Sequence, residues 1–222
     1  MAHQEQMWFI SNCRSFFPEY FVQKKVLEIG SLDINGSIRP FFSKCEFVGV
    51  DIGPGKGVDV VCKGEDLGGN AFEFDVVVST EVFEHTSNWD IILLNMIRKV
   101  KREGLLIFSC AGFGRDQHGT KLFTPGAAPH VSGGDDYYRN LSVQDFEERI
   151  SLKSWFSSYL FIEEVGSLYF IGLGREFLNG ENRLRPMKYA YEAYLKLRLV
   201  DGLPHSYAVK ALSDGPKRIG PT

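Results

Sequence analysis

The sequence predicts an α/β fold: a doubly wound sheet, mostly parallel, with one antiparallel strand near its end. Three observations carry this. Between residues 25 and 110, apolar runs of strand length alternate with helical patterns, as in βαβ units. The run over 74–79 is almost wholly apolar, as a strand covered on both faces of a parallel sheet must be. Two apolar runs at 159–165 and 168–174 have only Gly166-Ser167 between them, which suits a hairpin.

Residues 1–24 carry Trp8, Phe9, Phe16, Phe17, Tyr20 and Phe21 at near-helical spacing, interrupted at Pro18. This segment is expected to pack on a sheet edge or to cap a ligand pocket. The first strand begins at Val26-Leu27 and ends on Glu28 and Gly30. A polar turn with Asp33, Asn35 and Gly36 follows, then a helix expected at 35–43. Strand, glycine-bearing turn and helix start together form a nucleotide-type cradle, because glycine admits close backbone approach and a helix start offers free N–H groups. A second strand over 46–51 ends in Asp51, about 20 residues beyond the first turn, where a carboxylate can accept both ribose hydroxyls. The plainer alternative is a tight turn and a surface aspartate.

Gly53-Pro-Gly-Lys-Gly57 lacks the Gly-Lys-Ser/Thr ending of a P-loop. A third strand is expected over 58–62, closed by 64–67, and a fourth over 74–79. Over 88–101 Ile91, Leu94, Ile97 and Val100 recur at helical spacing, and Arg98, Lys99, Lys101 and Arg102 gather at the C-terminal end. Gly104 is expected to stop that helix before a fifth strand over 105–109. Ligands of such sheets lie beyond the carboxyl ends of the strands, where Glu28, Asp51, Glu65 and Ser79 to Glu81 converge.

Residues 111–141 are glycine- and proline-rich without periodicity, and an irregular stretch of about 30 residues is usually functional or disordered. Ser142 is an N-cap for a helix expected to run to Phe156. From 183 to 200, Leu184, Met187, Tyr191, Tyr194 and Leu195 form a stripe suited to a covering helix or a subunit contact, with a homodimer as the candidate assembly. Residues 213–222 read as a loose tail. With no internal repeat, residues 1–222 are read as one domain: a helical cap (1–24), a cofactor-binding core (25–110), an acceptor-site loop (111–141), the second half of the sheet (142–182), and a helix and tail (183–222).

The chain has 222 residues, 44% of them apolar, with 25 basic against 28 acidic side chains and a net charge of −3. That balance disfavours nucleic acid as a partner. The four cysteines form no C-x-x-C pair, and Cys45, Cys62 and Cys110 adjoin apolar runs, so buried reduced thiols are expected. No leader pattern and no apolar run of about 18 residues is present, so a cytoplasmic protein without a membrane span is expected.

At this point the residues resemble the class I S-adenosylmethionine-dependent methyltransferases, of the type 11 kind. Val26-Leu-Glu-Ile-Gly30 resembles their first motif and Val48-Gly-Val-Asp51 their second. Glu65-Asp-Leu67 resembles the segment after the third strand. Phe74-Asp-Val-Val-Val-Ser-Thr-Glu-Val-Phe-Glu-His85 resembles the fourth motif, and Lys101-Arg-Glu-Gly-Leu-Leu-Ile-Phe108 the entry to the fifth strand. The resemblance implies a seven-stranded Rossmann-like sheet, a methyltransferase activity and S-adenosylmethionine as cofactor. It places Glu28 and Gly30 at the methionine pocket and Asp51, followed by Ile52, at the ribose. Gly64, Glu65 and Asp66 would flank the adenine, and Ser79, Thr80 and Glu81 the methionine side, with Phe83 and His85 beyond. The family's Gly-x-Gly-x-Gly turn is here the longer Gly30 to Gly36, so Ser31, Asp33, Asn35 and Gly36 are candidates for the amino-acid end of the cofactor. Lys63 stands where many members have an acid.

A sulfonium is already activated, so methyl transfer needs positioning and, for a hydroxyl acceptor, a base. The candidates are His85, His118 and His130, whose imidazoles titrate near working pH. For His85 a structural place at a helix start is the stronger alternative, and for the other two an exposed loop. Asp135 and Asp136 could bind a divalent ion, as in some sugar-directed members of the resembled family, but adjacent loop acids are usually only solvated, so no metal is assigned. Arg115, Lys121 and Arg139 could receive an acceptor phosphate or carboxylate. The expected reaction is O-methylation of a small molecule, a sugar or a nucleotide-linked or phosphorylated metabolite. A macromolecular methyltransferase, an NAD-type oxidoreductase and a non-catalytic nucleotide-binding module are the alternatives.

Overall fold

The apolar runs do become strands, and they join one sheet. A computed structural model describes residues 4–131 and 136–201. Its strands are β1 (Lys25–Ile29), β2 (Glu46–Asp51), β3 (Val60–Val61), β4 (Phe74–Thr80), β5 (Val100–Ala111), β6 (Phe156–Glu164) and β7 (Ser167–Gly174). Across the sheet they run β3-β2-β1-β4-β5-β7-β6, with β7 antiparallel to both β5 and β6 and every other pairing parallel. This is the expected seven-stranded doubly wound fold. The order of travel reverses between β1 and β4, which creates a crevice beyond their carboxyl ends.

Alternate residues of the central strands face opposite layers. Val26, Val76, Val78 and Ile107 meet α1 (Gln4–Phe16) and α5 (Gly180–Asp201) through Phe9, Ile10, Leu184 and Met187. Leu27, Val77, Leu106 and Phe108 meet α2 (Trp89–Lys99) and α3 (Val143–Arg149) through Ile92, Leu93, Met96 and Phe146. The α5 stripe therefore covers the sheet, as one of its two readings expected; the side chain of Leu195 and the tail 213–222 lie outside the described residues. The N-terminal segment forms α1 and a single 3-10 turn at Pro18–Tyr20, and its aromatics pack in that same layer.

Several boundaries differ from expectation. The helix expected at 35–43 is one 3-10 turn, Arg39–Phe41. Pro40 lacks the N–H a helix interior needs, and its ring would clash with the carbonyl four residues earlier. The third strand is only two residues long and exposed. In α2 the buried face is Trp89, Ile92, Leu93, Met96 and Ile97, while Ile91 is 45% exposed. Those positions fit the i, i+3, i+4, i+7 pattern better than the stripe expected through Ile91 and Leu94. Gly104 does not stop the helix; it lies within β5 beside a register shift, where an added Cβ would sit 2.7 Å from the Asp75 carbonyl oxygen. Lys101 and Arg102 accordingly pair with Asp75 (2.8 Å) and Glu176 (2.7 Å) rather than complementing a helix end.

Ser142 caps α3 in a capping box with Asp145, but the helix ends at Arg149 because buried Ile150 is extended. One further turn, α4 (Leu152–Trp155), leads into β6. The hairpin turns at Val165-Gly166, one residue early, with Gly166 at φ +87°. All four cysteines are free; Cys13 and Cys110 are buried, but Cys45 and Cys62 only partly. No helix of the described residues is long and apolar enough to cross a membrane.

Candidate functional site

The strands β1, β2 and β4 end on polar turns, and a cavity of about 300 Å³ opens above them. Its first wall is the turn after β1. Gly30 has φ +80°, and an added Cβ would stand 2.1 Å from Val82 Cγ2, so both conformation and space demand glycine. The Gly30 and Ser31 N–H groups donate to the Val50 carbonyl (2.8 and 3.1 Å), fastening this turn to β2. Leu32 N–H donates to Asp51 Oδ2 (3.1 Å), and Gly53 N–H to Oδ1 (3.3 Å). These two donors fix the Asp51 carboxylate against the first turn, as the spacing of the two motifs anticipated.

The 53–57 loop braces the same turn: Asp33 N–H donates to the Lys56 carbonyl (2.8 Å), and the Asp33 carboxylate pairs with Lys56 (2.7 Å). A second wall is the 3-10 turn Gly64–Asp66, which α2 holds in place. Asn95 Nδ2 donates to the Gly64 and Glu65 carbonyls (3.1 and 2.9 Å), and Asn88 Nδ2 to Glu65 Oε1 (3.2 Å). The third wall follows β4. Glu81 adopts φ +55°, costly for a non-glycine residue, and is held by its N–H to the Ser109 carbonyl and by Ser109 Oγ to its Oε1, both 2.9 Å.

The irregular segment after β5 supplies the roof through Ala127 to Val131 and Tyr137. Its two ends are tied together, Leu141 N–H to the Ala111 carbonyl and Asn140 Nδ2 to the Arg115 carbonyl, each 2.9 Å. The imidazole of His130 lies so close above Gly53 that an added Cβ there would be 2.4 Å away.

Of the anticipated residues, Gly30, Asp51, Ile52, Gly64, Glu65, Glu81, His85 and His130 line the cavity. Glu28, Ser31, Ser79 and Thr80 are buried outside its lining. Asp33, Asn35, Gly36 and Asp66 also fall outside it: Asp33 serves Lys56 and caps Gly36 N–H (3.1 Å), while Asn35 and Asp66 face solvent. Without a helix after β1, that turn has no row of N–H groups to aim at a ligand. His118 is outside the lining but packs edge-on against His85, ring centres 5.1 Å apart. None of Arg115, Lys121 and Arg139 lines the cavity, and Arg139 pairs with Asp145. Asp135 lies outside the described residues, and Asp136 accepts the Lys121 N–H (2.6 Å). The α1 segment contributes nothing to the lining.

Sequence reasoning missed an apolar surround of Leu32, Ile34, Val82 and Ile92, and the run Thr86 to Asn88. Their position directly after the first and fourth strands was the available signal.

Charge in this region is tuned by burial. The Glu28 carboxyl is pushed up to about 8, first by desolvation and then by Asp51 and Asp33, against the pull of Arg39. Glu84 is raised well above the usual carboxylate range by desolvation and by Glu81. His85 is lowered to about 3 by desolvation and by His118, so its imidazole is neutral at working pH. Among the described residues Glu84, His85 and His118 also bring potential ligand atoms within 4.8 Å of one another.

A family model described as a methyltransferase domain matches residues 39–108. No curated protein matches the chain in sequence. Among solved structures, the YcgJ protein of Bacillus subtilis is similar with a TM-score of 0.53 at 12% identity, over 78% of this chain and 100% of that one. A 1,6-didemethyltoxoflavin-N1-methyltransferase of Burkholderia thailandensis, solved with 1,6-didemethyltoxoflavin and S-adenosylhomocysteine, gives 0.51 at 13%, over 78% and 80%. The CurJ carbon methyltransferase gives 0.49 at 13%, over 69% of this chain and 49% of that one, so the present chain spans about half its length. At these identities the likeness is one of fold.

Proposed function

We propose that this chain is a class I S-adenosylmethionine-dependent methyltransferase and that the methyl group passes to a hydroxyl oxygen of a small uncharged acceptor, a sugar or a nucleoside. The observation that carries the cofactor site is the Asp51 carboxylate, fixed by two N–H groups at the cavity wall where a ribose edge would lie. Ile52 and the Gly64 to Glu65 turn then flank the adenine, and Gly30 and Glu81 the methionine arm. His130, above Gly53, closes the roof over the adenosyl end. The sulfonium methyl points toward the β4 side, where Glu81, His85 and, behind it, His118 stand.

That lining favours an uncharged acceptor. Asp51, Glu65 and Glu81 face the cavity with Lys63 the one cation among its lining residues, so hydroxyl donors are better matched than a phosphate arm. A dinucleotide is poorly served, because its pyrophosphate would need the helix N-terminus that Pro40 prevents after β1. The balanced net charge of −3 likewise argues against a nucleic-acid acceptor.

The test pairs binding with turnover. Calorimetry should register S-adenosylhomocysteine and not NAD. Asp51→Ala should weaken that binding by about 1.5–3 kcal/mol, the loss of a charge-assisted hydrogen bond. Unchanged affinity would remove Asp51 from the site. With labelled S-adenosylmethionine, label should pass to sugar or nucleoside hydroxyls; transfer confined to amines or carbon acids would reject the oxygen assignment.

A further inference from the structure

We propose that Glu84, His85 and His118 form a binding site for one divalent cation on the acceptor side of the cavity. Potential ligand atoms of these three residues lie within 4.8 Å of one another. Three ligands at about 2.1 Å from a common ion stand about 3.4 Å apart in a tetrahedral set, so a closure of up to about 1.4 Å, within reach of the His118 loop, completes it.

The groups are otherwise poorly provided for. Glu84 has no solvent exposure, and no side chain hydrogen-bonds its carboxyl; the Glu84 and Ala111 N–H groups favour its ionised form but do not offset burial. His85 is 7% exposed, and its Nδ1 has no hydrogen-bond partner. An ionised carboxylate kept from water with so little support is costly, so the acid holds its proton; a cation bound directly to it would take the proton's place and stabilise the ionised form. Glu81 Oε2 is also buried and unpartnered, and its charge acts on Glu84; among the described residues no Lys or Arg ion pair reaches either carboxyl.

The surroundings are those of a ligand set. His118 Nδ1 lies 3.0 Å from the Asp116 carbonyl, which takes its proton and leaves Nε2 free for metal. Tyr138 hydroxyl donates to that same carbonyl (3.1 Å), and its ring walls both imidazoles at 5.6 and 5.0 Å. Gly119, at φ +66°, brings the loop so near that an added Cβ would sit 2.7 Å from His85 Cε1. The turn after β4 and the roofing segment therefore meet at this one point. Two imidazoles and one carboxylate suit a transition-series dication and leave positions open for oxygen ligands.

The role rests on the hydroxyl-acceptor reading above; the existence of the site does not. An acceptor hydroxyl bound to the cation would lose its proton to solvent more readily. The oxygen lone pair then forms the O–CH3 bond while the C–S bond breaks, and its electrons stay on sulfur as neutral S-adenosylhomocysteine.

The experiment uses the full chain stripped with chelator and titrated with Mn²⁺, free ion being followed by paramagnetic resonance. One Mn²⁺ per chain is expected. Glu84→Gln and His118→Ala should each weaken it at least about tenfold while S-adenosylhomocysteine still binds, which certifies the fold. His118 is only half-buried on a loop, so its variant tests the site even if Glu84→Gln unfolds. A chain that binds S-adenosylhomocysteine but no saturable Mn²⁺, or variants with wild-type Mn²⁺ affinity, overturns the site and leaves the methyltransferase reading standing. Stoichiometric Mn²⁺ without S-adenosylhomocysteine binding supports the site and rejects that reading. Full hydroxyl methylation by chelator-stripped enzyme overturns the catalytic role.

Discussion

Glu28 sits at the end of β1 with 4% exposure and one carboxylate oxygen unpartnered, an arrangement that stabilises the protonated acid. Its acidity, displaced to about 8 by burial, fixes a sign. The folded chain holds this proton more tightly than the unfolded chain, so the associated stability is complete below about pH 4.5. It is lost as pH rises toward 8. Glu28→Gln keeps the shape without the titration. Its melting temperature relative to wild type should therefore climb steadily between pH 5 and 8, and a difference that stays level would show that Glu28 is ionised in the fold. Not every residue was equally legible in the chain. Asp51 and Gly30 could be found because each ends an apolar run at the edge where ligands of such sheets bind. Glu84 and His118 could not be paired, because they lie 34 positions apart (118 − 84) and are joined through space by the return of the loop at Gly119 onto His85. Asn35 stands outside the lining on an exposed turn, because Pro40 keeps the segment after it from forming the helix that the sequence pattern predicts.

At the scale of elements, the roofing segment 111–141 is the piece whose position decides access. It was recognisable as irregular from its glycines and prolines, but where it folds back is set by contacts distant in sequence, His130 on Gly53 and Gly119 on His85. Element existence was readable from apolar runs, whereas ends were governed by tertiary demands such as the β5 bulge at Gly104 and the extended Ile150. Gly53 offers a clean probe of the roof. It is not among the glycines with positive φ, so a side chain there strains no backbone, yet its Cβ would enter the space of the His130 ring. Gly53→Val should displace the segment around His130, raising protease cutting within 111–131 and lowering turnover. Because Gly53 is buried, this overpacking should also cost the fold up to about 1–3 kcal/mol, less if the segment gives way. Wild-type protease resistance together with wild-type turnover would mean the roof does not close through this contact.

For the molecule as a whole, the sheet separates support from chemistry. The layer of α1 and α5 contributes no residue to the cavity lining, while the turns above β1, β2 and β4 contribute most of it. Met187, fully buried in α5, tests the separation. Met187→Ala should cost about 2–5 kcal/mol through lost contacts and a residual void. For a chain of this size, at about 2–4 °C per kcal/mol, that is a fall of about 4–20 °C in melting temperature. Because the ligand contacts remain, S-adenosylhomocysteine at a hundred times its Kd should still add about 2.7 kcal/mol to the folded state of both proteins. The two melting curves should then shift upward in parallel. A variant whose affinity drops by more than about tenfold, 1.4 kcal/mol, would show that the cavity's shape depends on the opposite layer. The sheet would then transmit strain from α5 to the turns beyond its carboxyl edge, and the support layer would have to be counted as part of the binding site.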